Sequence, residues 1–149
     1  MNTEIFNKLS NYGVIPVIAI DSVESALPIA DALIEGGLPV AEITFRTDAA
    51  VAVMSRLSQK RPELILGAGT VLNSENMQKA KDCGAVFAVA PGLNPEVAKK
   101  AMEIKMPFVP GINNPTDIEA ALSLGFKTLK FFPAEASGGI NYLKAITEP

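Results

Sequence analysis

The chain contains no histidine and only one cysteine, Cys83. Without imidazole there is no His-based zinc site, no Ser-His-Asp triad and no histidine acid–base catalyst. Proton transfer must fall to Glu, Asp, Lys or Tyr. A lone cysteine excludes an internal disulfide and fits a reducing compartment. Long apolar runs are also missing: none approaches the roughly 20 residues that span a bilayer. The opening residues Met1-Asn2-Thr3-Glu4 are polar, unlike a signal peptide. These absences predict a cytoplasmic protein with no membrane partner.

Excess positive charge is absent as well. Lys and Arg number 13 against 16 Asp and Glu, a net charge of -3. That balance argues against nucleic acid as the main partner. The basic doublets, Lys60-Arg61 and Lys99-Lys100, read as solvated helix ends. No G-x-G-x-x-G turn follows the first apolar segment, where Ile20-Asp21-Ser22 stands instead. This weakens a dinucleotide-binding reading.

What the chain does contain is a repeat. It has 149 residues, 48% hydrophobic and 19% charged, which suits one α/β domain with a sizeable core. Short apolar strands recur at Val14 to Ile20, Val40 to Thr44, Leu64 to Ala68, Ala85 to Ala90, Pro107 to Pro110 and Thr128 to Phe132. Helical patterns lie between them. One opens at Ser22 and stops at Gly36-Gly37, another runs from Asn73 to Gly84, and a third from Asn114-Pro115 to Gly125. Polar caps, Pro in a first turn and Gly just past the end are helix punctuation. Strands alternating with helices mean βαβ units and a parallel sheet.

At this interval eight units need roughly 200 residues, the lower limit of a (β/α)8 barrel. There is room for six, and Asn141 to Ile146 looks like the helix after the sixth strand. The reading is therefore an α/β protein of (β/α)8 TIM-barrel type. It has a single, incomplete domain over 1–149, with an N-terminal helix and the first six βα units. A doubly wound open sheet is the alternative.

Polar residues gather where these strands end, the side on which α/β barrels place active sites. In Thr128-Leu129-Lys130-Phe131-Phe132-Pro133, alternation puts Lys130 on one face with Thr128 and Phe132. Burial disfavours the ammonium and frees an amine to attack a carbonyl; the bland reading is a lysine snorkelling to solvent. In the second strand Glu42, Thr44 and Arg46 share a face, opposite Ile43 and Phe45. Glu42 and Arg46 are either a structural ion pair or a proton carrier and a carboxylate clamp. Interior layers are filled from alternate strands, so Glu42 and Lys130 can meet across one barrel mouth.

Gly67-Ala68-Gly69-Thr70-Val71 permits close backbone approach and offers the Thr70 hydroxyl, but lacks the lysine and spacing of a P-loop. Ala90-Pro91-Gly92 and Val109-Pro110-Gly111 read as tight turns shaping the mouth. Gly138-Gly139 reads as a turn in preference to an anion site at a helix start.

Taken together, Glu-Ile-Thr-Phe-Arg-Thr (42 to 47), Gly-Ala-Gly-Thr-Val (67 to 71), Ala-Pro-Gly (90 to 92), Val-Pro-Gly-Ile (109 to 112) and Leu-Lys-Phe-Phe-Pro-Ala-Glu (129 to 135) make a pattern. In order and spacing it resembles the 2-keto-3-deoxy-6-phosphogluconate/4-hydroxy-2-oxoglutarate aldolase family. The resemblance implies a metal-free, cofactor-free class I aldolase, commonly a homotrimer, of the Entner–Doudoroff type of carbohydrate metabolism. Its small-molecule partners are a keto acid and pyruvate. By resemblance Lys130 is the Schiff-base lysine and Glu42 the general acid/base. Arg46 and Thr70 look like binders of the pyruvate carboxylate, and Pro91 and Phe132 like walls of its pocket. The family's seventh and eighth strands, which hold substrate phosphate, have no counterpart here, so the chain reads as a fragment or a natural truncation. Two other readings stand beside the aldolase: a catalytically impaired assembly remnant, and another imine-forming barrel lyase.

Overall fold

The computed structural model describes residues 4–147. Met1, Asn2 and Thr3, on which part of the polar opening was read, lie outside the described residues. In chain order the elements are α1 (Glu4–Ser10), β1 (Val17–Ile18), a 3-10 turn (Val23–Ser25) leading into α2 (Ala26–Glu35), β2 (Val40–Thr44), α3 (Ala50–Lys60), β3 (Ile65–Gly69) and α4 (Ser74–Asp82). Then follow β4 (Phe87–Val89), α5 (Pro95–Glu103), β5 (Phe108–Val109), β6 (Gly111–Ile112), α6 (Pro115–Ser123), β7 (Lys130–Phe131), a second 3-10 turn (Glu135–Ser137) and α7 (Gly139–Thr147). No helix among the described residues is long and apolar enough to cross a membrane.

The helices start where their caps require. The side chains of Asn73, Asn94 and Asn114 each accept a backbone N–H one turn into α4, α5 and α6. Pro95 and Pro115 occupy first-turn positions, where no intrahelical N–H is needed. Gly84 and Gly125, just past α4 and α6, both have φ of +86, a left-handed conformation that costs a Cβ-bearing residue.

Strands β1 to β5 pair in parallel and in chain order, and β6 pairs in parallel with β7. The fifth expected strand runs past Pro110 and is split there, because proline has no N–H for the ladder. On one side of the break Ala90 N–H donates to Val109 O at 3.1 Å, and on the other Lys130 N–H donates to Pro110 O at 2.9 Å. One interrupted segment therefore joins β4 to β7, and the six expected strands lie in sequential order. The first is shorter than expected: only Val17 and Ile18 pair, against Glu42 and Ile43. Pro16 cannot donate, and among the described residues β1 has a neighbour on one side only.

Alternation along the strands sorts side chains into two apolar layers. Ala41, Ile43, Leu66, Ala68, Ala88 and Phe108 face the helices. Val40, Ile65, Phe87 and Val89 face inward and pack with Leu9, Phe6 and Ile5 of α1. Val40 and Ile65 begin their strands, so α1 plugs the interior at the strands' N-terminal end. The C-terminal end is left for polar groups. At one expected solvated helix end, Arg61 caps α3 and binds the Asp31 carboxylate of α2, with Nη2 2.8 Å from Oδ2. Its guanidinium fork suits a two-oxygen acceptor. Lys100 likewise pairs with Glu103 at 3.4 Å.

Among the described residues β1 and β7 each have one pairing neighbour, and the inward side chains between them meet water. Val14 is 60% and Val17 50% exposed. Covering roughly 400 Å² of such surface contributes about 10 kcal/mol, similar to a typical domain's whole stability of about 5–15 kcal/mol. The isolated chain should therefore associate through this seam. Static light scattering over a concentration series should show self-association, reduced by Val14→Lys, which puts a charge on the open edge. A monodisperse monomer with a sharp thermal transition would count against the seam as a liability.

Candidate active site

Glu42 sits in the middle of β2, where all five residues are buried. Its register partners are Val17 on β1 and Gly67 on β3. It is 4% exposed, and with the fully buried Thr44 it makes up the buried polar group of the core among the described residues. Room for its carboxylate comes from β3. A methyl group on Gly69 would collide with the Glu42 carboxyl, and one on Gly67 with the Phe87 ring. The two glycines thus clear one niche for the acid and another for the aromatic floor beside it.

Glu42 and Lys130 line one cavity of about 420 Å³ along the open seam, with Phe6 and Leu9 of α1, Val14, Val17, Phe87 and Val109 among its other walls. Residues of the second and sixth expected strands thus face one cavity. Burial pushes the Glu42 carboxyl above its usual range, opposed by the positive charges of Lys130 and then Arg46. Desolvation outweighs both cations, so the carboxyl is poised to hold a proton at higher pH than a free glutamate. Among the described residues no ion pair joins Glu42 to either cation. The structural ion-pair reading of Glu42 and Arg46 accordingly finds no support.

Lys130 is half-buried on β7. Its Nζ lies 5.2 Å from the centroid of the Phe132 ring, within cation–π range. Phe131 points the other way, its ring 6.0 Å from that of Tyr142 on α7. The expected alternation of Lys130 and Phe132 against Phe131 is thus present.

The remaining expected residues ring the strand ends but do not line the cavity. Arg46 is exposed, two residues past the end of β2. Thr44, expected on the polar face, spends its hydroxyl on the Ile18 carbonyl at 3.3 Å and ties β2 to β1. Thr70 follows β3 with φ of +56, a left-handed backbone that is unusual for a β-branched residue. Strain of this kind gathers at functional sites. Pro91 follows β4 and lines a separate hollow of about 260 Å³ with Leu72 and Leu93. A Cβ on Gly111 would strike the Pro91 carbonyl, so this glycine lets the exit of β4 approach the start of β6. Gly138 (φ +107) ends the second 3-10 turn and Gly139 begins α7, the turn that was expected there.

Sequence reasoning missed Asn113. Its side-chain amide donates to the Phe132 carbonyl at 3.2 Å and to the Ser137 hydroxyl. The signal was available in the doublet Asn113-Asn114, of which only Asn114 was read, as a helix cap. No group of three or more Cys, Asp or Glu suited to holding a metal occurs among the described residues.

Fold and site define a class: a parallel (β/α)-barrel protein with a lysine and a desolvated carboxylate facing one interior cavity. A sequence profile of the family described as "Aldolase: KDPG and KHG aldolase" matches residues 5–149. The 2-dehydro-3-deoxy-phosphogluconate aldolase of Haemophilus influenzae is 47% identical over 146 residues, covering 98% of this chain and 69% of that protein. The KHG/KDPG aldolase of Escherichia coli K12 is 43% identical over 136 residues, covering 91% of this chain and 64% of that protein. Among solved structures, the KDPG aldolase of Legionella pneumophila, with pyruvate captured as a covalent carbinolamine, superposes with a TM-score of 0.86 at 39% identity. That match covers 89% of this chain and 65% of the other. The chain belongs to the KDPG and KHG aldolase family, and spans about two thirds of the length of these relatives.

Two consequences are measurable. A carboxyl raised by burial makes the folded state bind its proton more readily than the unfolded state. Its favourable contribution is present below the ordinary glutamate value and is lost as pH rises through the folded value. Glu42→Gln should therefore be more stable than the parent near pH 7, an advantage that shrinks to nothing below about pH 4. Denaturant melts across pH measure this; a variant less stable at pH 7 would mean that Lys130 and Arg46 more than offset desolvation. Gly69→Ala should cost about 1–3 kcal/mol by overpacking, and the loss should shrink in the double variant with Glu42→Ala. Equal losses in both backgrounds would sever the glycine from the carboxylate.

Proposed function

We propose that this chain carries the catalytic half-site of a class I aldolase, which reversibly cleaves a 2-keto-4-hydroxy acid to pyruvate and an aldehyde. The substrate is 2-keto-3-deoxy-6-phosphogluconate, 4-hydroxy-2-oxoglutarate or both, and the aldehyde is glyceraldehyde 3-phosphate or glyoxylate. One observation carries the reading: Glu42 and Lys130 line the same interior cavity, and their charges interact there.

In this reading the free amine of Lys130 attacks the C2 carbonyl to form a carbinolamine, which loses water to give an iminium. Glu42 as carboxylate takes the proton of the C4 hydroxyl. The C3–C4 bond breaks, its electron pair moves into the iminium to give an enamine, and the aldehyde leaves. Glu42, now protonated, returns the proton to C3, and hydrolysis of the imine releases pyruvate. An acid–base group works best with its pKa near the operating pH, and burial moves the Glu42 carboxyl in that direction. By family resemblance Phe132, whose ring meets Lys130 Nζ, and Pro91, at the exit of β4, wall the pyruvate pocket. The Arg46 guanidinium and Thr70 hydroxyl, at the exits of β2 and β3, hold the pyruvate carboxylate. Electrons return to the carbon framework through the lysine alone, so no metal or cofactor is required. Residues 1–149 act as a single barrel-type unit, in the cytoplasm and as part of a homo-oligomer, a trimer by family resemblance.

The test is trapping. Pyruvate with borohydride should leave a reduced pyruvate adduct on Lys130, located by peptide mass, and none in Lys130→Ala. Glu42→Gln should still be trapped but should exchange pyruvate C3 protons about 10²–10⁴-fold more slowly. A label on Lys127 or Lys144 that persists in Lys130→Ala would refute the assignment. A trapped adduct without proton exchange in the parent chain would instead favour the impaired-remnant reading.

A further inference from the structure

Among the described residues strand β7, which carries Lys130, pairs on one side only. It pairs with β6 through Lys130 and Phe131, and flanking backbone bonds run from Lys130 N–H to Pro110 O at 2.9 Å and, just past the strand, from Phe132 N–H to Ile112 O at 3.1 Å. The ladder then ends, because β6 stops at Ile112 and the chain turns into the start of α6. The Phe132 carbonyl is met by a side chain instead, the Asn113 amide at 3.2 Å, which also donates to Ser137 in the turn beyond. Asn113 is itself fixed. Its backbone N–H donates to Asp117 Oδ2 at 3.1 Å, and the same oxygen accepts from the Asn114 amide at 3.0 Å. Asp117 N–H in turn donates to Asn114 Oδ1 at 3.0 Å. The start of α6 is thus a rigid bracket, and Asn113 is the arm that reaches from it to β7.

We propose that Asn113, braced by Asp117, is a positioning residue for Lys130, an inference that rests on the imine-forming reading of that lysine. The arm extends a two-residue edge strand by one further bond, placed at the residue whose ring lies against Lys130 Nζ. Releasing it frees the Phe132 carbonyl and lets the ring and the amine drift together from the line of attack. Displacement on the order of 1 Å at a reacting group costs roughly a hundredfold.

The experiment measures the rate of borohydride-trapped pyruvate labelling at Lys130 against pyruvate concentration, in the full 149-residue chain. The variants are Asn113→Ala and the isosteric Asn113→Asp, which keeps size but removes the donor. Asn73→Ala removes the cap of α4, far along the chain from β7, and controls for stability. Labelling at saturating pyruvate should fall by roughly 10- to 100-fold in both Asn113 variants, with half-saturation nearly unchanged. Asn73→Ala should lower the Tm yet label at the parent rate. Parent-rate labelling in Asn113→Asp, or equal loss in Asn73→Ala, overturns the positioning role while leaving the imine reading intact. Absence of any label on Lys130 in the parent overturns both.

Discussion

One constraint organises the rest: a carboxylate has been placed inside a parallel sheet. Burying an ionised acid is costly unless it is paired, hydrogen-bonded or allowed to keep its proton. Here the structure meets that cost by three means. Gly69 leaves space for the carboxyl, Lys130 and Arg46 supply positive charge without closing into an ion pair, and the proton is held more tightly than usual. A direct Glu42–Lys130 bridge would have been of less use, since a paired ammonium is not a nucleophile. Spacing the charges around a cavity keeps both groups available for a molecule that enters between them.

The two apolar layers follow from that placement. Helix-facing residues such as Ile43, Leu66 and Phe108 form an ordinary α/β core and supply the bulk of the burial. The inner layer is divided along the strand direction. Val40 and Ile65, at the strand starts, are sealed by Leu9 and Phe6 of α1. Glu42, Gly67 and Phe87 stand in the next row, and Gly69 and Thr44 above that. Apolar floor, acid and open glycine rim are successive levels of a single register. A one-residue slip of β2 would turn Glu42 into the helix layer and Ile43 into the cavity. Register is therefore pinned by the chemistry as well as by the core.

Much of this was legible in the sequence. Period-two alternation assigned Glu42 and Lys130 to inward faces, and strand–helix spacing gave a sequential parallel sheet. Asn and Pro caps marked where α4 and α6 begin. What alternation could not deliver lies beyond the strand ends. Thr44 carries the same polar label as Glu42, yet its hydroxyl is consumed by the Ile18 carbonyl. Arg46 and Thr70 sit where the chain has left the sheet, so their directions are set by turns, including a left-handed backbone at Thr70. The split at Pro110 was read as an end because a proline ends a ladder on its donor side; its carbonyl, still free to accept, carries the sheet on to β7. Asn113 escaped notice because a side chain that substitutes for a missing backbone donor has no periodic signature.

The open seam ties these points together. Lys130 stands on an edge strand, and the cavity that it shares with Glu42 reaches Val14 and Val17 at the opposite edge. Desolvation, the largest influence on the Glu42 carboxyl, depends on how much water enters there. Whatever covers the seam, whether a further stretch of chain or a neighbouring copy, removes water from around the carboxylate and strengthens its interaction with Lys130 in the same act. Both effects grow as the local dielectric falls, but they act on Glu42 in opposite directions. The balance at the acid is therefore set less by any one contact than by how completely the barrel interior is closed, which couples assembly of the fold directly to the readiness of its acid and its amine.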